Sequence, residues 1–92
     1  MLQRIRQQII DRAYYVSGHA EDEMFEDNLE RADVEHAILH GQIEKRLKTD
    51  PRGTRYRLVG PARDGRPTVV VCRFHETHDL LIITVYAIKR LS

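Results

Sequence analysis

Residues 42–87, QIEKRLKTDPRGTRYRLVGPARDGRPTVVVCRFHETHDLLIITVYA, decide the fold. Apolar residues come here in short runs separated by turn chemistry, which predicts four strands, over 43–47, 55–59, 68–74 and 80–87. The Asp50-Pro51-Arg52-Gly53 turn leads into the second strand, the Gly60 to Arg66 loop into the third, and His75 to Asp79 into the fourth. Connections this short cannot carry parallel crossovers, so the expected sheet is an antiparallel meander. The last two strands are the most apolar and belong at its centre. In the final strand Leu81, Ile83 and Val85 form the expected core face, and Ile82, Thr84 and Tyr86 the other.

Upstream the period becomes helical. Leu2, Ile5, Ile9 and Ala13 share a stripe, predicting a helix over 2–13. Ser17 can cap a second helix over 18–27, in which Ala20 and Met24 are apolar and Glu21, Asp22 and Glu23 suit the positive end of the macrodipole. A third helix spans 31–40 on Val34, Ala37 and Ile38, with Gly41 at its C-terminal cap. The fold class is therefore α+β, with N-terminal helices on one face of a four-stranded antiparallel sheet.

The chain has 92 residues, a length that suits one small domain, 1–92. Such a domain buries roughly 60 to 65% of the surface its unfolded chain exposes, too little for a lobe devoted to a cofactor, and none is expected. A single cysteine, Cys72, excludes an internal disulfide and a Cys-rich zinc module. The longest apolar run is Leu80 to Ile83, far short of the roughly 20 residues of a membrane span, and charges at Arg4, Arg6, Asp11 and Arg12 interrupt any leader-like segment. A soluble, cytoplasmic protein without membrane contact is expected. The net charge of +1 conceals a division: residues 1–44 sum to −6, residues 45–73 to +7 and the remainder to zero. Either one surface attracts anions while another repels them, or the charges segregate in sequence alone.

His19, Glu23 and Asp27 recur every four residues, at roughly 0°, 40° and 80° around the second helix, bordering Ala20 and Met24. A histidine and a carboxylate in mutual reach are what acid and base catalysis needs. Metal-independent RNA cleavage requires little more: a base for the ribose 2′-hydroxyl, an acid for the departing 5′-oxygen, and cations for the phosphate. Arg52, Arg55, Arg57, Arg63, Arg66 and Arg73 are candidate cations, because a guanidinium fits phosphate oxygens bidentately; the competing reading makes them solvated, edge-protecting charges. Metal ligation is disfavoured, because the three helical groups span about 12 Å. His36 and His40 read as exposed, His75 and His78 as turn residues, and Cys72 as a small buried hydrophobe.

SGHAEDEMFEDNLERADVEHAILHGQI, DPRGTRYRLVG, ARDGRPTVVVCRF and LLIITVY together resemble domain-of-unknown-function family 4258, from about Tyr15 to Ala87. His19, Ala20, Met24, Asp33, Val34, Gly41, Thr84, Val85 and Tyr86 fit its pattern. Many members carry Arg where this chain has Glu23 and Asp27, and Gly where it has Asn28, so any phosphate role of those arginines is either vacant here or passed to the sheet arginines. The family is similar to RNase toxins of the RelE and MqsR type, with a barnase-like or colicin-nuclease-like fold. The resemblance implies a toxin-like endoribonuclease (mRNA interferase) acting on RNA, paired with an antitoxin that has zinc-binding and DNA-binding portions; a homodimer stays open. In that reading His19 and Glu23 are acid and base in either order. Arg52, Arg55, Arg66 and Arg73 bind phosphates, and Thr84 and Tyr86 orient the nucleotide. The alternative is a non-catalytic protein-binding module using its acidic helices, since eight acidic residues lie between Glu21 and Glu35 against Arg31 alone.

Overall fold

The computed structural model describes residues 1–48 and 51–89; Asp50 of the expected turn lies outside them. Along the chain run α1 (Leu2–Ile10), β1 (Tyr14–Val16), α2 (Gly18–Glu26), α3 (Arg31–His40), β2 (Gln42–Leu47), β3 (Arg55–Pro61), β4 (Pro67–Phe74) and β5 (Leu80–Ala87). The class is α+β, as the change of period at Gln42 predicts. The sheet, however, has five strands in the order β1-β5-β4-β3-β2 and is mixed, because β1 pairs in parallel with β5. This corrects the expected four-stranded antiparallel meander.

The additional strand follows from an early helix end. Arg12 adopts φ 56°, and the amide of Ala13 donates to the carbonyl of Gln8, so α1 stops at Ile10 rather than at residue 13. The chain then extends, and Tyr14, Tyr15 and Val16 lie opposite Leu80, Leu81 and Ile82. Three residues are too few to show an alternation in sequence.

All three helices cover one face of the sheet. Ile5 and Ile9 of α1, Ala20 and Met24 of α2, and Val34 and Ile38 of α3 pack with Leu58, Val70, Leu80 and Ile82. Each fully buried Ile or Leu contributes about 1.5 to 3 kcal/mol. The other face carries no helix, and its residues on β3 and β5 remain partly exposed.

A bulge in β5 decides which side chains point inward. Val71 pairs with Thr84, but the next residue, Cys72, pairs with Ile82, so Ile83 is inserted and the facing of the strand reverses across it. Leu80, Ile82, Val85 and Ala87 are buried, whereas Leu81 and Ile83 are only partly covered. The expected facing is thus corrected before and at the bulge, where Ile82 rather than Leu81 and Ile83 enters the core, and holds beyond it at Val85. Thr84 and Tyr86 remain on the helix-free face.

Gly41 also acts differently from the expectation. It is the C-terminal cap residue of α3, yet its φ of −102° is open to any residue, so left-handed freedom is not its use. Space is. A Cβ here would meet the carbonyl oxygen of Ala37 and come within 2.8 Å of the Cα of Gly60, whose own Cβ would meet the same carbonyl. The end of α3 therefore sits directly on β3. Among the described residues no helix is long and apolar enough to cross a membrane.

Candidate functional site

β1 covers the edge of β5 only as far as Ile82, and beyond it the strand would expose its amides. α2 covers that gap with side chains. The Ser17 hydroxyl, which also accepts from the amide of Ala20 as the expected N-cap, donates to the carbonyl of Ile83 at 3.0 Å. Glu23 Oε1 accepts from the amide of Val85 at 3.2 Å, and Asp27 Oδ2 from the amide of Ala87 at 2.9 Å. Four helical residues rise about 6 Å, close to the roughly 6.6 Å between alternate strand amides, so carboxylates at i and i+4 match the edge. The acidic stripe stands in for a missing strand.

His19 begins that stripe. Its Nε2 lies 3.2 Å from Glu23 Oε1, and its side chain is 70% exposed while that of Glu23 is 22% exposed. An anchored carboxylate thus holds an imidazole at the solvent margin. Glu23, Glu26 and Asp27 line one wall of a groove of about 400 Å³, with Tyr86, Ala87 and Lys89 on the other.

Tyr86 leads onto the helix-free face of the sheet. Its hydroxyl accepts from Arg57 Nη2 at 3.3 Å. Arg57 Nε is buried, lies 3.6 Å from Glu44 Oε1, and reaches no hydrogen-bond acceptor among the described residues. Cross-strand register places Val71 between Arg57 and Thr84, and Val69 between Val59 and Tyr86. Arg57 belongs to the basic run in sequence, but its partnership with Tyr86 depends on a register that only folding sets.

The remaining candidates separate. Arg73 opposes Leu81, four residues along β4 from the Val69 that faces Tyr86, or about 13 Å away along the strand. Arg55 opens β3 on that same end of the sheet, and Arg52 lies in the exposed turn before it. Arg66 is elsewhere and engaged: it donates to the carbonyls of Asp27 at 2.6 Å and Asn28 at 3.1 Å, and to Asp64 at 2.7 Å. It closes the C-terminal end of α2, where its charge also suits the macrodipole. Asn28, at φ 54°, takes the left-handed conformation that Gly or Asn favours after a helix.

Three further groups are structural. Asp33 accepts from the amide of Glu30 and from both the amide and the Nε of Arg63, and the Arg63 guanidinium holds its carboxyl down to about 2. Burial pushes the Tyr14 hydroxyl up to about 12, with its hydrogen bond to Glu35 at 2.6 Å acting in the same direction. Burial pushes the Cys72 thiol to about 12 as well, which keeps it protonated. His36, expected on the surface, instead places Nδ1 2.7 Å from the carbonyl of Pro61 and stacks on His40. Among the described residues no three His, Cys, Asp or Glu side chains converge on a common metal position.

These features define a small α+β protein with one helix-covered face and one open face, and with an acidic helix replacing a strand at the sheet edge. The chain belongs to the family described as domain of unknown function (DUF4258), which matches residues 16–87, from the end of β1 to the end of β5. No curated protein and no solved structure matches the chain.

Proposed function

We propose that the chain is a metal-independent endoribonuclease of the RelE and MqsR kind, the toxin of a toxin–antitoxin pair. The observation that carries this reading is the neighbourhood of two pairs: His19 with Glu23, and Tyr86 with Arg57, with Glu23 and Tyr86 lining one groove. In the proposed reaction His19 takes the ribose 2′-hydroxyl proton, and the resulting oxyanion attacks the adjacent phosphorus. The bond to the 5′-oxygen breaks, and Tyr86 protonates that oxygen, leaving a 2′,3′-cyclic phosphate and a free 5′-hydroxyl. Glu23 orients the imidazole and stabilises its cationic form, as the carboxylate of a catalytic triad does. Arg57 stabilises both the phosphorane and the tyrosinate that proton transfer leaves behind. Glu23 thereby becomes a positioning residue instead of the second proton carrier.

Induced expression in a bacterial host, with RNA cleavage by the purified protein, tests the reading. Wild type should arrest growth and cleave RNA, and His19→Ala should do neither. Equal growth and uncleaved RNA in both cases overturn it. A second reading, a non-catalytic protein-binding module using its acidic helices, is favoured by Phe25, which is 86% exposed on α2 between Glu21, Asp22 and Glu26. It predicts a salt-sensitive complex with a basic partner and no cleavage. In the first reading that same face receives the antitoxin.

A further inference from the structure

We infer that the helix-free face of the sheet is a platform for single-stranded RNA, with Tyr15 as a stacking base plate remote from the cleavage groove. The inference rests on the RNA-directed reading above and extends it to the form of substrate. The helices occupy the opposite face, and Tyr14 and Val16 of β1 pack toward them, so the intervening Tyr15 projects from the open side. Its side chain is left 63% exposed. A tyrosine in a strand usually buries its ring against cross-strand neighbours, and one left open offers a π face to whatever lies on the sheet.

The neighbours of Tyr15 fit a nucleic acid strand. Tyr15 opposes Leu81, and Leu81 opposes Arg73 on the next strand. Arg55 and Arg73 each adjoin a member of the buried Tyr56–Cys72 pair, so both lie on the open face at this level. Strands about 4.8 Å apart set Tyr15 and Arg73 about 10 Å from each other, and Arg55 one strand further. A base stacked on Tyr15 and the side of Leu81 would thus place its neighbouring phosphates over guanidinium groups. Along the strands Tyr86 lies about 13 Å from this level and Arg57 about 7 Å, so a bound strand can run from Tyr15 toward both. Aromatic rings for bases and cations for the backbone are the two components of single-strand binding surfaces.

The form of nucleic acid follows from the exposed ring of Tyr15. A duplex buries its base faces in its own stack and offers only backbone and groove edges, for which an exposed tyrosine ring has no use. An acidic peptide could satisfy the arginines but would leave Tyr15 without a planar partner.

A fluorescein-labelled ten-nucleotide strand of 2′-O-methyl RNA tests this, because it has no 2′-hydroxyl and cannot be cleaved. Fluorescence anisotropy should show binding that weakens about 5- to 100-fold in Tyr15→Ala, the range for loss of one stacked base, while Tyr15→Phe binds as wild type. The same strand in a duplex should bind at least about tenfold more weakly. Thermal melts should leave Tyr15→Ala folded, since the ring is exposed. Unchanged binding by Tyr15→Ala, equal affinity for the duplex, or no binding each overturns the platform; so does a dimer that occludes this face, seen by sedimentation. Cleavage of unmodified RNA by wild type and by His19→Ala is scored separately, so loss of the catalytic reading and loss of the platform give different results.

Discussion

Arg6, Arg63 and Arg66 share a charge with Arg55, Arg57 and Arg73 but little else. The first group turns toward the helices. Arg6 donates to the carbonyls of Ile38 and Gly41 at the end of α3, Arg66 to those of Asp27 and Asn28 after α2, and Arg63 clasps Asp33 at the start of α3. The second group stands on strands β3 and β4, on the face the helices leave open. The basic stretch 45–73 is therefore divided, with Arg63 and Arg66 joining Arg6 of the N-terminal half in tying down helix ends while Arg55, Arg57 and Arg73 stand on the open face. The acidic and basic parts of the chain meet on the helical side through the Arg63–Asp33 pair, and on the sheet through Arg57 and Glu44.

The comparison predicts opposite responses to truncation. Arg57→Ala has the largest expected effect: RNA cleavage falls about 10²- to 10³-fold, the loss typical of removing one donor to a developing oxyanion, while folding changes by less than about 1 kcal/mol. Parallel kinetics and urea unfolding read both, and a purely structural Arg57 would reverse the pattern. Asp33→Ala comes next, costing about 2 to 3 kcal/mol by leaving the amides of Glu30 and Arg63 and the Arg63 guanidinium without their shared acceptor. Asp33 also sets an acid limit. Its carboxyl is depressed from 3.8 to about 2, so its contribution is complete above about pH 4 and is lost as pH falls toward 2. Asp33→Asn should flatten the stability curve in that window, and an unchanged acid limb would exclude the clasp. Arg66→Ala should cost about 1 to 2 kcal/mol through two uncapped carbonyls, with Arg66→Lys recovering only part, because an ammonium cannot fork to both. If Arg66→Ala instead left stability intact and abolished RNA binding, Arg66 would move into the second population.

What sequence alone reveals divides in a similar way. Ser17, the α3 stripe and the bounds of β5 follow from local chemistry: a hydroxyl before an acidic turn, a 3.6 period, an apolar run between turns. β1 does not, because three residues show no period and its parallel partner lies more than sixty residues away. The β5 bulge is equally silent, since an inserted Ile83 among Leu, Ile and Val leaves the hydropathy unchanged while reversing every side chain beyond it. The His19, Glu23 and Asp27 spacing is visible in sequence as a shared helical face. That the carboxylates answer the amides of Val85 and Ala87 becomes visible only when α2 lies along β5. Gly41 is legible as a helix end, but its need for space depends on Gly60, nineteen residues later.

Arg73 is where the two arginine populations should differ by the smallest measurable amount and therefore where the distinction is sharpest. It caps no helix and pairs across the strands with Leu81, so Arg73→Ala should shift unfolding by less than about 0.5 kcal/mol. If Arg73 contacts phosphate as the proposed platform requires, a single lost contact has a definite signature: the slope of log affinity for single-stranded RNA against log salt falls by about 0.7. Arg66→Ala should leave that slope alone while lowering stability. A salt slope unchanged in Arg73→Ala, measured over 50 to 200 mM salt by roughly the titration used for Tyr15, would mean that position on the sheet does not by itself make an arginine a phosphate ligand.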